Sequence, residues 1–477
     1  MASDGHNAQS LRQRMHHWTS KGLNRLFDKD TDTPDSSGGS GSTTAVNENH
    51  PAHNAQVGVG STGDDTKTDP LRLRFKTPSS PSTDDLSTTP SQSQKPYPPT
   101  ISIDRVDFLG PVHSATTHVK RDLGFQGRLG DYILLSYGDT LYSNPELSDD
   151  NQFRGMTSDS LALATHDPLV VVDPPDLLNE NKYPRQFCPL DPNAGEVPSE
   201  YAVGITNVVS IDTTTDTTTT TTSGTGSGAG AAAKGIIYYL LNHRPGGNNH
   251  ILGAGVALVE LDASTSSTEY PPTPRIKRLP SPHTSSTSSP LSKHHLWFDG
   301  SSEPWYGDIC ALRWHSHIYA YGHGGDDNPW VYVARVPVTD ITTRGLNTYE
   351  YWNGEHWQKN PLEKTSIGEK ESVFWQINQG QVVYSKFLAC LVFVYVDNFM
   401  NSRVHLKTSQ TPEGPWSDPP VMLYQATPIL PKEKMGCIYA AVPHPYFDES
   451  GKTLVVTFTN HPNTIQAVRV VFKDTDT

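Results

Sequence analysis

Hydrophobic residues along this chain recur in short runs bounded by turn residues, with almost no helical periodicity. From Ile101 to Lys473, some sixteen runs are rich in β-branched and aromatic residues, for example Phe387–Val396 and Leu454–Asn460. Clusters of Gly, Asn, Asp and Pro separate the runs, as in the segment 324–329. Many short strands without helices between them predict an all-β sandwich, barrel or propeller.

The number of predicted strands selects among these all-β folds. Some sixteen strands over roughly 375 residues exceed one ordinary sandwich, whereas four-stranded blades repeated around an axis accommodate them as about four to five blades. Aromatic, Gly and Asp residues cluster where blades would begin, as in Tyr306-Gly307-Asp308-Ile309. The first strand of each propeller blade lines a central channel, so we expect polar residues there to face a common pocket.

Composition divides the chain into a tail and a folded region. Residues 1–98 are rich in Ser, Thr, Asp, Gly and Pro and carry few apolar residues, so we expect a disordered tail. The propeller domain is predicted over residues 99–477. Two low-complexity segments, at about 213–233 and 264–292, lie between strand-like runs and are interpreted as long surface loops.

Charge and targeting signals restrict the possible partners and location. The formal net charge is −14 and no dense basic block occurs, which argues against nucleic-acid binding. No apolar run is long enough for a transmembrane helix, and the first residues lack the apolar stretch of a secretory signal. We therefore expect an intracellular, cytoplasmic protein that does not contact membranes and is a monomer.

The cysteines and histidines do not form a recognisable metal or redox motif. Cys188, Cys310, Cys390 and Cys437 are widely spaced without a Cys-x-x-Cys pair, and no His-Glu-x-x-His sequence occurs. Cys310 and Cys390 lie in apolar runs and are interpreted as small buried side chains. We expect neither a metal nor another cofactor.

Two aspartates form the leading candidate for chemistry. Asp122 lies in a Gly-rich segment interpreted as a loop, before an apolar strand that ends in a predicted tight turn, Gly138-Asp139-Thr140. A turn after Asp122 and one returning strand would bring both acids to the same end of a sheet. Two nearby carboxyl groups in different environments are the equipment for acid/base cleavage of a glycosidic bond.

The roles of the two aspartates can be divided, although the reverse assignment stays open. Turn amides would stabilise an ionised Asp139, which leaves Asp122 as the proton donor with its pKa raised by burial. In the alternative interpretation, Asp139 caps a turn through hydrogen bonds to the backbone and Asp122 is an ordinary loop residue.

Three further residues are candidates for substrate binding at the predicted channel. Asp159 follows the next loop, where a turn or capping role is an equal alternative. Asp308 begins the strand that contains Cys310. His444 lies between two prolines that would fix its ring, and its alternative role is a hydrogen bond that closes the last blade. Aromatic residues could stack on sugar rings, although most are expected in the core: Trp297, Trp305, Tyr306, Trp330, Trp352, Trp357 and Trp375.

Several of these segments resemble a known family, domain-of-unknown-function family 4185. The resemblance spans about residues 101–473 and rests on five motifs: Arg121-Asp122-Leu123-Gly124, Tyr137-Gly138-Asp139-Thr140, Ser158-Asp159-Ser160, the segment 408–416 that ends in Gly-Pro-Trp, and Pro443-His444-Pro445. It implies a five-bladed β-propeller, similar in style to furanosidase propellers. Some members form glycoside hydrolase family 183, bacterial enzymes that cut D-arabinan internally.

The resemblance and the acid pair together predict glycan hydrolysis at the central channel, with a furanoside as substrate. This sequence departs from the characterised relatives in lacking a secretion signal and in carrying long Ser/Thr inserts. The alternative function is a non-catalytic propeller that binds a glycan or a protein partner, because fold alone does not specify function.

Overall fold

The computed structural model describes the region that the sequence predicts to be folded, with several gaps. It describes residues 97–142, 154–212, 232–247, 249–261, 272–281, 294–325, 328–342, 348–375, 379–397, 401–434 and 436–474. The predicted disordered tail therefore lies outside the described residues except for positions 97 and 98. Most of the two predicted low-complexity loops also lies outside them.

The first sheet contains the two aspartates of the predicted pair. After an N-terminal strand β1 (Ile103–Pro111), it is built from β2 (His113–Ser114), β3 (Val119–Leu129), β4 (Tyr132–Tyr142), β5 (Met156–Thr157), β6 (Ser160–Ala164) and β7 (Val170–Val172). Its strand order is β2-β7-β6-β4-β3, with β5 paired to β4. Gly130 and Asp131 connect β3 to β4 and allow the chain to return directly along β3.

The second and third sheets follow in chain order, and their strand pairs are antiparallel. The second contains β8 (Tyr201–Ser210), β9 (Ala233–His243), β10 (His250–Leu261), β11 (Pro274–Arg278) and the short β12 (Phe298–Asp299). The third contains β13 (Cys310–Trp314), β14 (His317–Gly325), β15 (Asn328–Pro337), β16 (Glu350–Trp352) and β17 (Trp357–Gln358). Strand β11 lies within the segment 264–292, so the prediction of a continuous loop there is wrong at this point.

The fourth and fifth sheets complete the set. The fourth contains β18 (Gly380–Ser385), β19 (Cys390–Val396), β20 (Arg403–Ser409) and β21 (Val421–Gln425); the fifth contains β22 (Ile438–His444), β23 (Thr453–Asn460), β24 (Thr464–Phe472) and, at its outer edge, β1. A single parallel pair, Gly380 with Ala441, joins the two sheets. Because β1 pairs with β24, the beginning of the described chain completes the last sheet.

Helical structure in the described part of the chain is confined to single 3-10 turns. They occur at Pro175–Leu177, Pro192–Ala194, Pro245–Gly247, Lys432–Lys434 and Pro445–Phe447. Apolar side chains on both faces of the strands pack between neighbouring sheets. One cluster joins Leu134 of the first sheet to Ile237 of the second, and another joins Val392 of the fourth to Val456 of the fifth. This all-β propeller fold confirms the predicted fold class.

The first strands of the five sheets contact one another in a ring. An added Cβ at Gly127 of β3 would lie 2.0 Å from the Val208 carbonyl oxygen of β8, so these backbones touch. The Asn207 side chain exchanges two hydrogen bonds of 2.8 Å with the backbone of Ala311 in β13. Strand β13 contacts β18, β18 pairs with β22, and β22 contacts β3. We call the end where these five strands begin the entry end, and the opposite end the exit end.

A glutamine side chain ties together two strands of this ring that are not consecutive. Gln381 of β18 accepts a hydrogen bond of 3.1 Å from the backbone N–H of Gln126 and donates one of 2.7 Å to its carbonyl oxygen. Gln381 is almost completely buried. Its side chain therefore pairs with β3 as a neighbouring strand would, between the entry end and the exit end.

Candidate active site

Strands β3 and β4 carry the predicted acid pair to the entry end. Asp122 lies near the beginning of β3 and Asp139 near the end of β4, and the register pairs Arg121 with Thr140. The expectation that Asp122 lies in a loop and Asp139 in a tight turn is wrong, because both residues are in strands. The reversal of the chain occurs at Gly130 instead.

A bulge in β3 sets the direction of the Asp122 side chain. The register shifts on both sides of Leu123, which has a φ of 70°, and Gly124 follows with a φ of 86°. A positive φ is unusual for a leucine, and such strained or bulged backbone is concentrated at functional sites. The Leu123 N–H, freed from the sheet, donates a 2.9 Å hydrogen bond to Thr459 Oγ1 of β23. The fifth sheet thereby holds the bulge in place.

The Asp122 carboxyl group lies directly against the residue that precedes Asp139. An added Cβ at Gly138 would lie 2.5 Å from Asp122 Oδ1, so only glycine leaves room for this carboxyl group. Within the described part of the chain, this buried Oδ1 makes no well-aligned hydrogen bond, and the nearby backbone N–H of Asp139 acts to lower the pKa of the carboxyl group. The other oxygen accepts a 3.2 Å hydrogen bond from the Tyr439 hydroxyl of β22.

The surroundings of the two carboxyl groups differ in charge. Burial, followed by the negative charge of Asp139, raises the pKa of Asp122 well above its usual value, and the Tyr439 hydroxyl opposes this rise only in part. Burial also raises the pKa of Asp139, but the positive charge of Arg244 acts in the opposite direction. Asp122 is consequently the better proton holder of the two, and Asp139 the better candidate for an ionised carboxylate.

Asp159 is completely buried and anchors a loop. Its Oδ1 accepts hydrogen bonds from the backbone N–H groups of Phe187 (2.9 Å) and Cys188 (2.8 Å). Burial raises its pKa to about 7, against the effect of these hydrogen bonds. This anchoring of residues 187 and 188 is a structural role other than the turn or capping role expected as the alternative, and a contact between Asp159 and a substrate stays a prediction.

Asp308 lies at the entry end of the third sheet, where it binds a histidine that the sequence analysis did not single out. Asp308 Oδ2 lies 2.7 Å from His323 Nδ1, and Oδ1 accepts a 3.0 Å hydrogen bond from the His323 backbone N–H. His323 is near the end of β14, so this pair occupies the same positions in its sheet as Asp122 and Asp139 do in theirs. Both side chains are nearly buried.

His444 lies at the exit end of β22, at the far end of that strand from Tyr439. Its ring is buried, with Nε2 2.7 Å from Thr457 Oγ1 and Nδ1 3.0 Å from the Tyr446 hydroxyl. Burial lowers its pKa to about 3, so the ring is neutral at physiological pH. These contacts correspond to the alternative role of a hydrogen bond within the last sheet, and a substrate contact stays a prediction.

Residues that sequence reasoning missed at this site come from distant parts of the chain. Tyr439 is the second residue of β22, the last inner strand, and Arg244 directly follows β9; neither belongs to a motif named above. The four cysteines are free and buried. No group of three or more His, Cys, Asp or Glu residues suited to a metal ion occurs among the described positions. No helix in the described ranges is long and apolar enough to cross a membrane.

Comparison with solved structures finds similar chains at low identity. A proposed hydrolase from Bacteroides ovatus is 15% identical, with a TM-score of 0.42 over 77% of this chain and 86% of that one. The GH43_1 enzyme from Xanthomonas citri is 11% identical, with a TM-score of 0.36 over 77% and 90% of the two chains. A glycoside hydrolase family 43 arabinoxylan arabinofuranohydrolase from Bacillus subtilis is 12% identical, with a TM-score of 0.31 over 73% and 63%.

Comparison at the level of sequence finds one family model that matches part of the chain. No match was found among curated proteins. The family described as a domain of unknown function, DUF4185, matches residues 285–468, a segment that includes Asp308 and His444 but neither Asp122 nor Asp139. The resemblance to DUF4185 is thereby confirmed over residues 285–468.

Proposed function

We propose that the protein is a glycoside hydrolase that uses Asp122 and Asp139 at the entry end to cleave a furanoside-containing glycan. The observation that carries the proposal is the close placement of two carboxyl groups with unequal surroundings. Asp122 lies against Gly138 in a buried setting beside the charge of Asp139, while Asp139 has the opposing positive charge of Arg244 nearby. Such a difference in pKa within a pair is what separates an acid from a base in glycosidases.

Asp122 is the proton donor in this proposal. Its raised pKa keeps the carboxyl group protonated at a pH where an exposed aspartate would be ionised, so it can protonate the oxygen of the leaving sugar. The hydrogen bond from Tyr439 orients the carboxyl group. When the proton is transferred, the same hydroxyl stabilises the new negative charge.

Asp139 is the carboxylate that acts on the sugar carbon. Ionised, it stabilises the positive charge that develops on the sugar ring and either forms a covalent bond to the ring or activates a water molecule. The first route retains the configuration of the sugar and the second inverts it. Asp139 keeps some exposure to solvent, which both routes require.

A pair of tryptophans at the same end, the partly buried Trp330 and the exposed Trp375, provides a surface for a sugar ring. Trp330 lies near the beginning of β15, and Trp375 precedes β18 with about half of its surface exposed (51%). The two rings meet edge to face at a centroid distance of 4.2 Å. Amphipathic faces of sugars pack well on such aromatic surfaces. The choice of a furanoside rests on the family resemblance alone.

The test is a hydrolysis assay with a panel of furanosyl oligosaccharides, including arabinan fragments. We expect the wild-type protein to release reducing ends and Asp139→Asn to abolish turnover while the midpoint of unfolding stays nearly unchanged. Asp104→Asn is the matched control, because Asp104 is an exposed carboxylate on β1. The anomeric configuration of the first product distinguishes the two routes.

The rival proposal, a non-catalytic glycan- or protein-binding propeller, predicts a different outcome. A protein that binds an oligosaccharide from the panel without cleaving it would support the rival. Equal activity of Asp139→Asn and Asp104→Asn would refute the assignment of Asp139.

A further inference from the structure

A cavity that is remote from the acid pair opens at the exit end of the ring. Its volume is about 450 Å³, which is in the range of sites that enclose small organic molecules. Three sheets supply its walls, represented by Ile133 of the first sheet, Leu406 of the fourth, and Leu454 and Phe472 of the fifth. The cavity therefore lies where the fourth, fifth and first sheets converge.

The hydrogen-bonded pairing of the Gln381 side chain with the Gln126 backbone, which we call the Gln381 bridge, lies between this cavity and the acid pair. Gln126 lines the cavity, and its backbone is the part of β3 that pairs with the Gln381 side chain. Asp122 lies four residues earlier on β3, on the entry side of the bridge. A ligand in the cavity would consequently be distinct from a substrate at the carboxyl groups.

The cavity has an apolar interior and a charged mouth. Val392 and Leu406 are buried in its floor, whereas His166, Lys386 and Glu449 are exposed at its rim. The remaining acidic residue of the lining, Asp448, is engaged in hydrogen bonds within its own turn. Its two oxygens accept hydrogen bonds from the backbone N–H groups of Ser450 (2.9 Å) and Thr453 (2.7 Å).

Arg128 brings a positive charge into this apolar cavity without a hydrogen-bond partner for one of its nitrogens. Arg128 lies two residues after Gln126 on the same face of β3 and lines the cavity. Its Nη1 is buried and makes no hydrogen bond to any residue in the described part of the chain. Burial lowers the pKa of Arg128, while the charge of nearby Asp131 acts against this shift. A buried cationic donor destabilises the protein unless an acceptor forms a hydrogen bond with it.

We propose that this cavity binds an organic anion, with the carboxylate or sulfonate group accepting a hydrogen bond from Arg128 Nη1 and an aromatic or aliphatic body lying against the apolar floor. Charge complementarity selects the anion, because Arg128 is the cation inside the cavity, the Asp448 oxygens are occupied, and Lys386 balances the charge of Glu449 at the rim. The volume and the apolar floor select a ligand with a body larger than a simple inorganic anion.

The test uses anilinonaphthalenesulfonate as the probe, since it combines a sulfonate with an apolar aromatic body. We expect the folded full-length protein to enhance its fluorescence with one site per chain. Phenylbutyrate should displace the probe at concentrations at least tenfold lower than phenylbutanol, its neutral counterpart, because only the carboxylate can pair with Arg128.

Two variants connect binding to the cavity. Arg128→Met should weaken probe binding at least tenfold, with thermal stability unchanged or raised because an uncompensated charge is removed. Arg275→Met, which alters an exposed arginine on β11, is the matched control and should bind as the wild type does. Val383→Phe fills part of the cavity without changing charge and should also weaken binding, which keeps the test valid if Arg128→Met does not fold.

Probe binding by the variants decides between the possible outcomes. Weaker binding in both cavity variants, with preserved binding in Arg275→Met and Asp139→Asn, supports the proposal independently of any hydrolytic activity. Equal binding by wild type, Arg128→Met and Val383→Phe would overturn it. Several probe molecules bound per chain, or equal displacement by phenylbutyrate and phenylbutanol, would overturn the anion site as well.

Discussion

Replacing the buried Asp159 by asparagine should make the protein more stable at neutral and alkaline pH. The carboxyl group is completely buried, and Oδ1 accepts two backbone hydrogen bonds from Phe187 and Cys188. The carbonyl oxygen of an asparagine side chain can accept the same two bonds. The substitution therefore removes the ionisation and preserves these two backbone bonds, at the loss of the weaker side-chain hydrogen bonds from Ser158 and Gln186.

The size and the direction of the stability change follow from the shift in the pKa of Asp159. Burial raises the pKa of Asp159 from 3.8 in an exposed setting to about 7 in the folded protein. Between these values the folded state keeps a proton that the unfolded chain has released, so stability decreases as the pH rises from about 4 to about 7. The full shift corresponds to about 4 kcal/mol at most, and this cost is absent in Asp159→Asn.

The assay is chemical denaturation of wild type and Asp159→Asn at several pH values between about 4 and 9. The stabilities should be similar at the acidic end and diverge in favour of the variant as the pH rises. Asp104→Asn, at an exposed position on β1, should follow the wild type throughout. A variant that is less stable than wild type at pH values above 7 would refute the reasoning, because it would mean that an ionised Asp159 stabilises the fold.

Two further substitutions test the packing around the site and the nearby sheets. Gly138→Ala should lower the unfolding free energy by about 1–3 kcal/mol and displace Asp122, because the new Cβ would lie 2.5 Å from the Asp122 carboxyl oxygen. Gly204→Ala on β8, where a Cβ meets open space, is the control and should be near neutral in the same denaturation experiment. Glu196→Gln should destabilise the protein by about 3–5 kcal/mol, because Glu196 is the buried ion-pair partner of Arg278. Glu200→Gln, at an exposed position, should leave the stability nearly unchanged. Equal effects of the two substitutions in thermal unfolding would contradict the importance of the buried pair.

The propeller fold could be predicted because its strands are short, apolar and separated by turn residues. The meeting of Asp122 and Asp139 was also within reach, since one hairpin connects them. The position of both residues within strands, by contrast, could not be predicted. The segment around Gly124 and Gly127 reads as a loop because glycine is rare in strands, yet β3 needs Gly127 for its contact with Val208 of the next sheet.

Long-range contacts explain what the sequence could not supply. Tyr439 lies 317 residues from Asp122, and no local pattern connects a tyrosine in the last sheet to a carboxyl group in the first. The residues that flank Asp159 and His444 in the sequence do not determine whether these side chains are buried. Both side chains are buried, and their polar atoms are satisfied locally in space: the backbone N–H groups of Phe187 and Cys188 donate to Asp159, and hydroxyl groups of Thr457 and Tyr446 contact the His444 ring.

The shared environment of Asp122 and Asp139 can be measured directly by NMR titration of the aspartate carboxyl carbons in carbon-13-labelled protein. Asp122 should titrate well above its ordinary pKa, and Asp139→Asn should lower that pKa, because the neighbouring negative charge is removed. A pKa of Asp122 close to 3.8, or one that Asp139→Asn leaves unchanged, would contradict the account.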